Sequence, residues 1–153
     1  MADITIQAEA EHGAFTTLYR TAGLDIDDDW TGSHNPVFSV AARREGKLLA
    51  AATVTRRFDR LVLEYVAVTP EARGQGLGKE LTGRCLAYAA QAGEKSLWIA
   101  AREPGFYGKL GAEETEDTVL LADCRRCADY RVSCEPKELV FHLKENPGMK
   151  ENP

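Results

Sequence analysis

The sequence predicts a mixed α/β domain: a mostly antiparallel sheet with a central parallel strand pair, flanked by helices. Three observations point there. Residues 37–68 hold three apolar, strand-like runs separated by short turn sequences, the pattern of an antiparallel meander. Residues 61–101 then read strand, glycine loop, helix, strand, a connection that implies a parallel pair. At 153 residues and 44% hydrophobic content, the chain can bury one substantial core and has no room for a second full domain. Residues 1–153 therefore read as a single domain.

In order along the chain, residues 4–8 alternate as a short strand. Residues 11–21 follow as a helix, with Phe15, Leu18, Tyr19 and Ala22 at helical spacing. Residues 25–36 break the pattern with Asp27, Asp28, Asp29, Gly32, Asn35 and Pro36, so they predict a loop holding at most a short helical turn. Residues 37–42 and 48–55 are strands around a hairpin turn at 44–47, and a second turn at 57–60 leads into a strand over 61–68. The next helix carries Leu77, Leu81, Cys85, Tyr88 and Ala92 on one stripe, with Gly93 placed to end it. Residues 96–101 form a buried-type strand. Residues 104–110 form a short helix begun by proline, and residues 118–122 and 139–143 two further strands. No internal repeat is visible, and the tail over 146–153 reads as disordered.

Charge and composition exclude several classes. A net charge of -5 without a long basic run argues against nucleic-acid binding. No apolar stretch approaches the roughly 18 residues needed to cross a bilayer. The start, Met-Ala-Asp-Ile-Thr-Ile, lacks the basic and apolar regions of a secretory signal, so a cytoplasmic location is expected, with the 4 cysteines reduced.

The most informative stretch is Arg73-Gly74-Gln75-Gly76-Leu77-Gly78-Lys79, which joins the end of a strand to the start of an amphipathic helix. Glycines let backbone approach a ligand, successive N–H groups face the turn, and the helix dipole adds to the charge of Arg73. Such a loop cradles an anion, and a phosphate-bearing cofactor is the natural guest. A dinucleotide fingerprint starting at Gly74 would need glycine at Lys79. A P-loop ending in Gly78-Lys79 would need glycine at Arg73 and Ser or Thr at Glu80. Both fail by position.

What remains, Arg-x-x-Gly-x-Gly after the run 61–68 and Thr69-Pro70-Glu71, resembles the acyl-CoA pyrophosphate loop of the GNAT superfamily of N-acetyltransferases. Phe106-Tyr107-Gly108-Lys109-Leu110-Gly111-Ala112 is similar to that superfamily's Phe-Tyr-x-Lys-Leu-Gly-Phe segment, with Ala112 in place of the usual aromatic. The two segments stand in the family's order and near its usual separation. The resemblance implies a GNAT-like fold over about residues 3–145. It also implies direct attack of an amine on the thioester of acetyl-CoA, without a covalent enzyme intermediate.

On that resemblance, Arg73 and the backbone of Gly74, Gln75, Gly76, Leu77, Gly78 and Lys79 bind the pyrophosphate. Val66, Ala67 and Val68 meet the pantetheine arm and thioester carbonyl where the parallel strands separate, with one strand N–H acting as an oxyanion donor. Tyr107 matches the tyrosine that protonates the departing thiolate; the alternative is an aromatic that packs under the sheet and bonds locally. The acceptor is a small-molecule or protein amine. Homodimers are common in the superfamily, and no interface is legible here. The competing class is a non-catalytic acyl-CoA-binding or regulatory domain.

Glu64 is the sole charge in its apolar strand. It can take a proton from the substrate ammonium, directly or through water, or it can pair with an arginine of the neighbouring hairpin such as Arg56 or Arg57. Strict alternation would put its side chain on the face of Val66 and Val68.

Cys124-x2-Cys127 followed by Cys134 has the spacing of a metal knuckle. The fourth ligand of a structural zinc would have to come from His142, Cys85, a carboxylate such as Asp123, or elsewhere. Reduced thiols and a reversible disulfide are the alternatives. Cys85, on a core stripe, reads as a small buried hydrophobe. Asp25, Asp27, Asp28, Asp29 and Trp30 lie in the segment corresponding to the family's acceptor-side loop. They either line the site for a cationic amine or serve a helical turn. His12 and His34 show no catalytic neighbour.

Overall fold

A computed structural model describes residues 3–24, 26–117, 119–121 and 137–143. Its strands are β1 (Thr5–Ala8), β2 (Pro36–Arg44), β3 (Lys47–Arg57), β4 (Arg60–Val68), β5 (Ser96–Ala101), β6 (Glu113–Glu114) and β7 (Lys137–His142). The α-helices are α1 (Thr16–Thr21), α2 (Trp30–Ser33), α3 (Leu77–Gln91) and α4 (Pro104–Lys109). The strands form one sheet in the order β1-β2-β3-β4-β5-β7-β6. Every described pairing is antiparallel except β4 with β5. The predicted fold class is the one observed.

The meander closes through two-residue turns. Glu45 (φ 50) and Gly46 (φ 80) join β2 to β3, and Phe58 (φ 55) and Asp59 (φ 59) join β3 to β4. Positive φ at both central positions matches the right-handed twist of the flanking strands. On one face lies α3, with Leu77, Leu81, Cys85 and Ala89 buried against Ala50, Ala52, Leu63, Leu97 and Phe141. The predicted stripe holds at Leu77, Leu81, Cys85 and the half-buried Tyr88, which stacks on Phe38 with centroids 4.4 Å apart, but Ala92 is an exposed C-cap and Ala89 takes the buried position in the last turn. Gly93 (φ 84) follows the helix end as expected. The opposite face is covered by Phe15, Leu18, Tyr19 and Trp30, packed on Ala41, Ala51, Tyr65 and Ala67. Each such large side chain contributes roughly 1.5–3 kcal/mol on burial.

Three elements differ from the sequence reading. The first helix begins as a 3₁₀ turn at His12–Phe15 and becomes α only over Thr16–Thr21. Within the predicted strand 118–122, residues 119–121 are a turn leading to a helical residue, because the Leu120 N–H goes to Glu138 Oε1 at 2.9 Å rather than into a ladder. The short strand Glu113–Glu114 pairs with β7 instead. The 146–153 tail and the cysteine segment 122–136 lie outside the described residues. No helix among the described residues is long and apolar enough to cross a membrane.

Candidate active site

The site begins where β4 and β5 part. β4 has 9 residues and β5 has 6, yet they share a single register pair, Val62 with Trp98. Beyond it the strands diverge, and a cleft of about 800 Å³ opens between them. Val66, Ala67 and Val68 form its β4 wall, and Ile99, Ala100 and Ala101 its β5 wall.

At the α3 end, a 3₁₀ turn at Pro70–Ala72 leads to Arg73 in extended conformation (φ -66, ψ 155). Gly74 (φ 81) and Gly76 (φ 76) then hold left-handed backbone, with Gly76 as the N-cap of α3. A side chain at either position would add roughly 1–2 kcal/mol of strain. The first intrahelical bond is Glu80 N–H to Gly76 O at 3.0 Å. Among the described residues, the amides of residues 74–79 donate to no protein acceptor. A run of open N–H groups at the positive end of a helix, beside Arg73 and Lys79, fits a diphosphate. Arg73, Gly74, Gly76, Leu77, Gly78 and Lys79 all border the cleft; Gln75 does not.

Tyr107 enters from α4. Its ring packs edge-on against Phe106 (centroids 4.9 Å) and Phe141 (6.5 Å). Its hydroxyl has no hydrogen-bond partner among the described residues, and the side chain lines the cleft. Burial, then the nearby Glu103 carboxylate, hold the phenol well above its ordinary range, so it stays protonated. An unpaired, protonated hydroxyl facing a cleft is placed to donate a hydrogen bond to a group bound there.

Glu64 also borders the cleft, but strict alternation does not place it. Thr53 pairs with Tyr65 and Val54 with Leu63, so Glu64 is the extra residue of a β-bulge. The bulge resets the phase of the strand: Leu63 and Val66 both pack in the α3-side cluster. Glu64 consequently meets Thr55 and Arg57 instead of sharing the face of Val66 and Val68. Arg57 Nε lies 2.6 Å from Oε1 and Nη2 2.9 Å from Oε2, and Thr55 Oγ1 donates to Oε1 at 2.9 Å. The pairing with Arg57 anticipated from sequence is present; Arg56 instead binds Glu94.

The acidic segment behaves differently from an acceptor lining. Trp30 is fully buried, its Nε1 donating to Thr16 Oγ1 at 2.8 Å. Asp28 pairs with Arg20 at 2.7 Å, and the carbonyls of Asp27 and Asp29 accept the N–H groups of Trp30 and Gly32. None of the described aspartates borders the cleft. The α1 side is lined instead by Ala22, Gly23 and Leu24, with Arg102 and Glu103 facing them from the end of β5. Sequence reasoning missed these residues, although Arg102 and Glu103 are the first charges after an apolar strand at the split.

Among the described residues no cluster of His, Cys, Asp or Glu could hold a metal ion. Cys124, Cys127 and Cys134 lie outside the described residues, and Cys85 is a buried free thiol.

A split α/β sheet whose gap is faced by an open-amide cradle defines a site for an anionic ligand. A sequence profile of the Acetyltransferase (GNAT) family matches residues 6–112, and the chain belongs to that family. Among curated protein sequences none matches. Solved structures share the fold. N-acetylglutamate synthase from Neisseria gonorrhoeae, complexed with coenzyme A and N-acetyl-glutamate, aligns with TM-score 0.71 and 19% identity over 95% of this chain. The chain spans only 36% of that synthase. The Escherichia coli GNAT family N-acetyltransferase YhbS in complex with CoA aligns with TM-score 0.68 and 18% identity, over 94% of this chain and 83% of YhbS. A GNAT family acetyltransferase from Elizabethkingia anophelis with acetyl-CoA bound gives TM-score 0.70 and 18% identity, over 92% of this chain and 98% of its own.

Proposed function

We propose that this protein is an N-acetyltransferase that moves the acetyl group of acetyl-CoA to a primary amine by direct attack in a ternary complex. The observation that carries the reading is the meeting, in one cleft, of the open-amide cradle at 74–79 with the unpaired hydroxyl of Tyr107. Acetyl-CoA, when bound, supplies the acyl group activated as a thioester.

The chain's residues then divide the work. Arg73, Lys79 and the amides of 74–79 hold the diphosphate. The backbone of Val66, Ala67 and Val68, left without a β5 partner, faces the gap where the acyl carbonyl gains negative charge, and an N–H there acts as the oxyanion donor. Glu64 receives the proton lost by the attacking amine, directly or through a water, while Arg57 and Thr55 fix its carboxylate in place. Tyr107 gives its proton to the leaving sulfur. One proton leaves the amine and one reaches the thiolate, so the enzyme returns to its starting state after Glu64 and Tyr107 re-equilibrate with solvent.

The test is thermal unfolding with acetyl-CoA, CoA, ATP and NAD, followed by thiol release on the same sample with a panel of amines. A ligand that binds only the folded state raises its apparent stability. Selective stabilisation by the two CoA species with amine-dependent thiol release supports transfer. Stabilisation with no release across the panel favours a non-catalytic acyl-CoA-binding domain, and no stabilisation by either CoA species overturns the assignment of the cradle.

A further inference from the structure

The cleft is lined by residues from both faces of the sheet, and its two sides differ. On the α3 face stand the cradle, Arg73 and Lys79. The opposite face carries α1, packed on β4 through Tyr19 and Tyr65, whose rings lie 5.0 Å apart. The loop after α1, Ala22 to Leu24, borders the cleft from that side. With the diphosphate held on the α3 face, the acceptor enters from the α1 face.

The cations bordering the cleft are Arg73, Lys79 and Arg102 among the described residues. The first two belong to the cradle. Arg102, by contrast, leaves the end of β5 and reaches across the mouth to Gly23, where Nη1 donates to the carbonyl oxygen. That bond fixes one edge of the guanidinium. Among the described residues the other N–H groups have no acceptor, and the side chain is exposed. Gly23 holds left-handed backbone (φ 87), which aims its carbonyl at Arg102, and a Cβ there would make only ordinary contact with Nη1 at 3.5 Å. A planar fork held at one edge, with its remaining donors open at the acceptor mouth, is suited to a carboxylate. Glu103, exposed beside it, borders the same cleft and supplies the opposite sign for an arriving ammonium.

We propose that Arg102 is a specificity-determining residue that pairs with a carboxylate on the acceptor, so that the acceptor is a small amine of amino-acid type. This rests on the transfer reading above. A polyamine or a lysine side chain in a cationic peptide would meet Arg102 as a like charge.

The test compares common α-amino acids with their carboxamides, and with spermidine and a lysine-bearing peptide, by acetyl-CoA-dependent thiol release. It uses the wild-type chain, Arg102→Gln and Arg102→Lys. A charge-assisted pair predicts that wild-type kcat/KM for the preferred acid exceeds that for its amide by about ten-fold or more. In Arg102→Gln the gap closes through KM, Arg102→Lys keeps part of it, and stabilisation by acetyl-CoA is unchanged in both. A merely structural role for the Gly23 bond would lower acid and amide alike, leave the ratio intact and overturn the proposal. So would wild-type turnover of amides or spermidine at the rate of the acids, which leaves the transfer reading standing. Absence of release from every acceptor, with acetyl-CoA still bound, overturns both.

Discussion

Tyr19 Oη lies 2.7 Å from Thr53 Oγ1 in the fully buried layer between α1 and the sheet, and the contact is one link of a longer chain. Thr53 Oγ1 is 2.8 Å from Ser39 Oγ, which is 2.7 Å from His12 Nδ1. Burial holds the Tyr19 phenol far above its ordinary range, so it stays protonated and is able to donate. With Tyr19 donating, Thr53 is left to donate to Ser39, and Ser39 to a His12 that is neutral and unprotonated at Nδ1. A proton on His12 Nδ1 would reverse the chain and leave the Tyr19 hydrogen without an acceptor.

Stability should therefore fall in mild acid. Burial places the folded pKa of His12 below its ordinary value of 6.5, opposed by Glu11. A lowered folded pKa means the unfolded chain binds more protons, so the contribution is full above 6.5 and is lost as pH falls through the folded value. Tm measured between about pH 5 and 7.5 should rise with pH in the wild type and rise less in His12→Asn. Parallel curves would refute the link.

Glu138 works in the opposite sense. Its side chain is 0% exposed in the pair with Arg60, whose Nη1 is 3.8 Å from Oε2, too far for a hydrogen bond. Burial raises the carboxyl above its ordinary value, so its contribution to stability is full at low pH and is lost as pH rises through the raised value. Glu138→Gln keeps an acceptor for Leu120 and removes the buried charge, while Arg60 retains Asp117 at 3.0 Å and its stack on Trp98. At neutral pH the variant should gain about 1 kcal/mol, read as roughly 2–4 °C in Tm. A loss of stability would show that the Arg60 attraction outweighs desolvation.

Tyr107→Phe keeps the ring contacts with Phe106 and Phe141 and removes only the hydroxyl. Loss of a general acid should lower kcat by ~100-fold or more. Stabilisation by acetyl-CoA should be unchanged, which a melting curve checks. Undiminished turnover would return Tyr107 to a packing role.

Gly76→Ala forces a Cβ onto left-handed backbone at the start of α3 and should cost about 1–2 kcal/mol. Because nothing lies within 4 Å of the added carbon, the damage comes from backbone repositioning. The shift in Tm given by acetyl-CoA should shrink beyond the loss in the ligand-free protein. An equal shift in both would mean the cradle amides do not bind the diphosphate.

Much of this fold was legible because its signals are local. The alternation over 37–68, the glycines at 74, 76 and 78 and the four-residue spacing of Leu77, Leu81 and Cys85 each act within a few neighbours. The features that escaped depend on distant partners. β6 is 2 residues long, below any period, and exists through its ladder with β7. The apolar run Val119, Leu120 and Leu121 suggested a strand, but a buried carboxylate on another strand captured the backbone. Trp30, whose segment read either as site lining or as a helical turn, fills the core, as an indole with a reachable acceptor can. Glu64 could be picked out as anomalous, while the bulge that aims it has no signature in its own sequence.

That bulge bears on what the fold requires of β4. Remove Glu64 in thought, and Leu61, Leu63, Val66 and Val68 would fall on one face in unbroken alternation, with Tyr65 and Ala67 on the other. Architecturally Glu64 is surplus: shortening β4 by this one residue would leave each of its neighbours facing its present layer. A tolerated deletion at this single position, in a variant that melts normally but no longer turns over substrate, would separate the needs of the scaffold from those of the chemistry it supports.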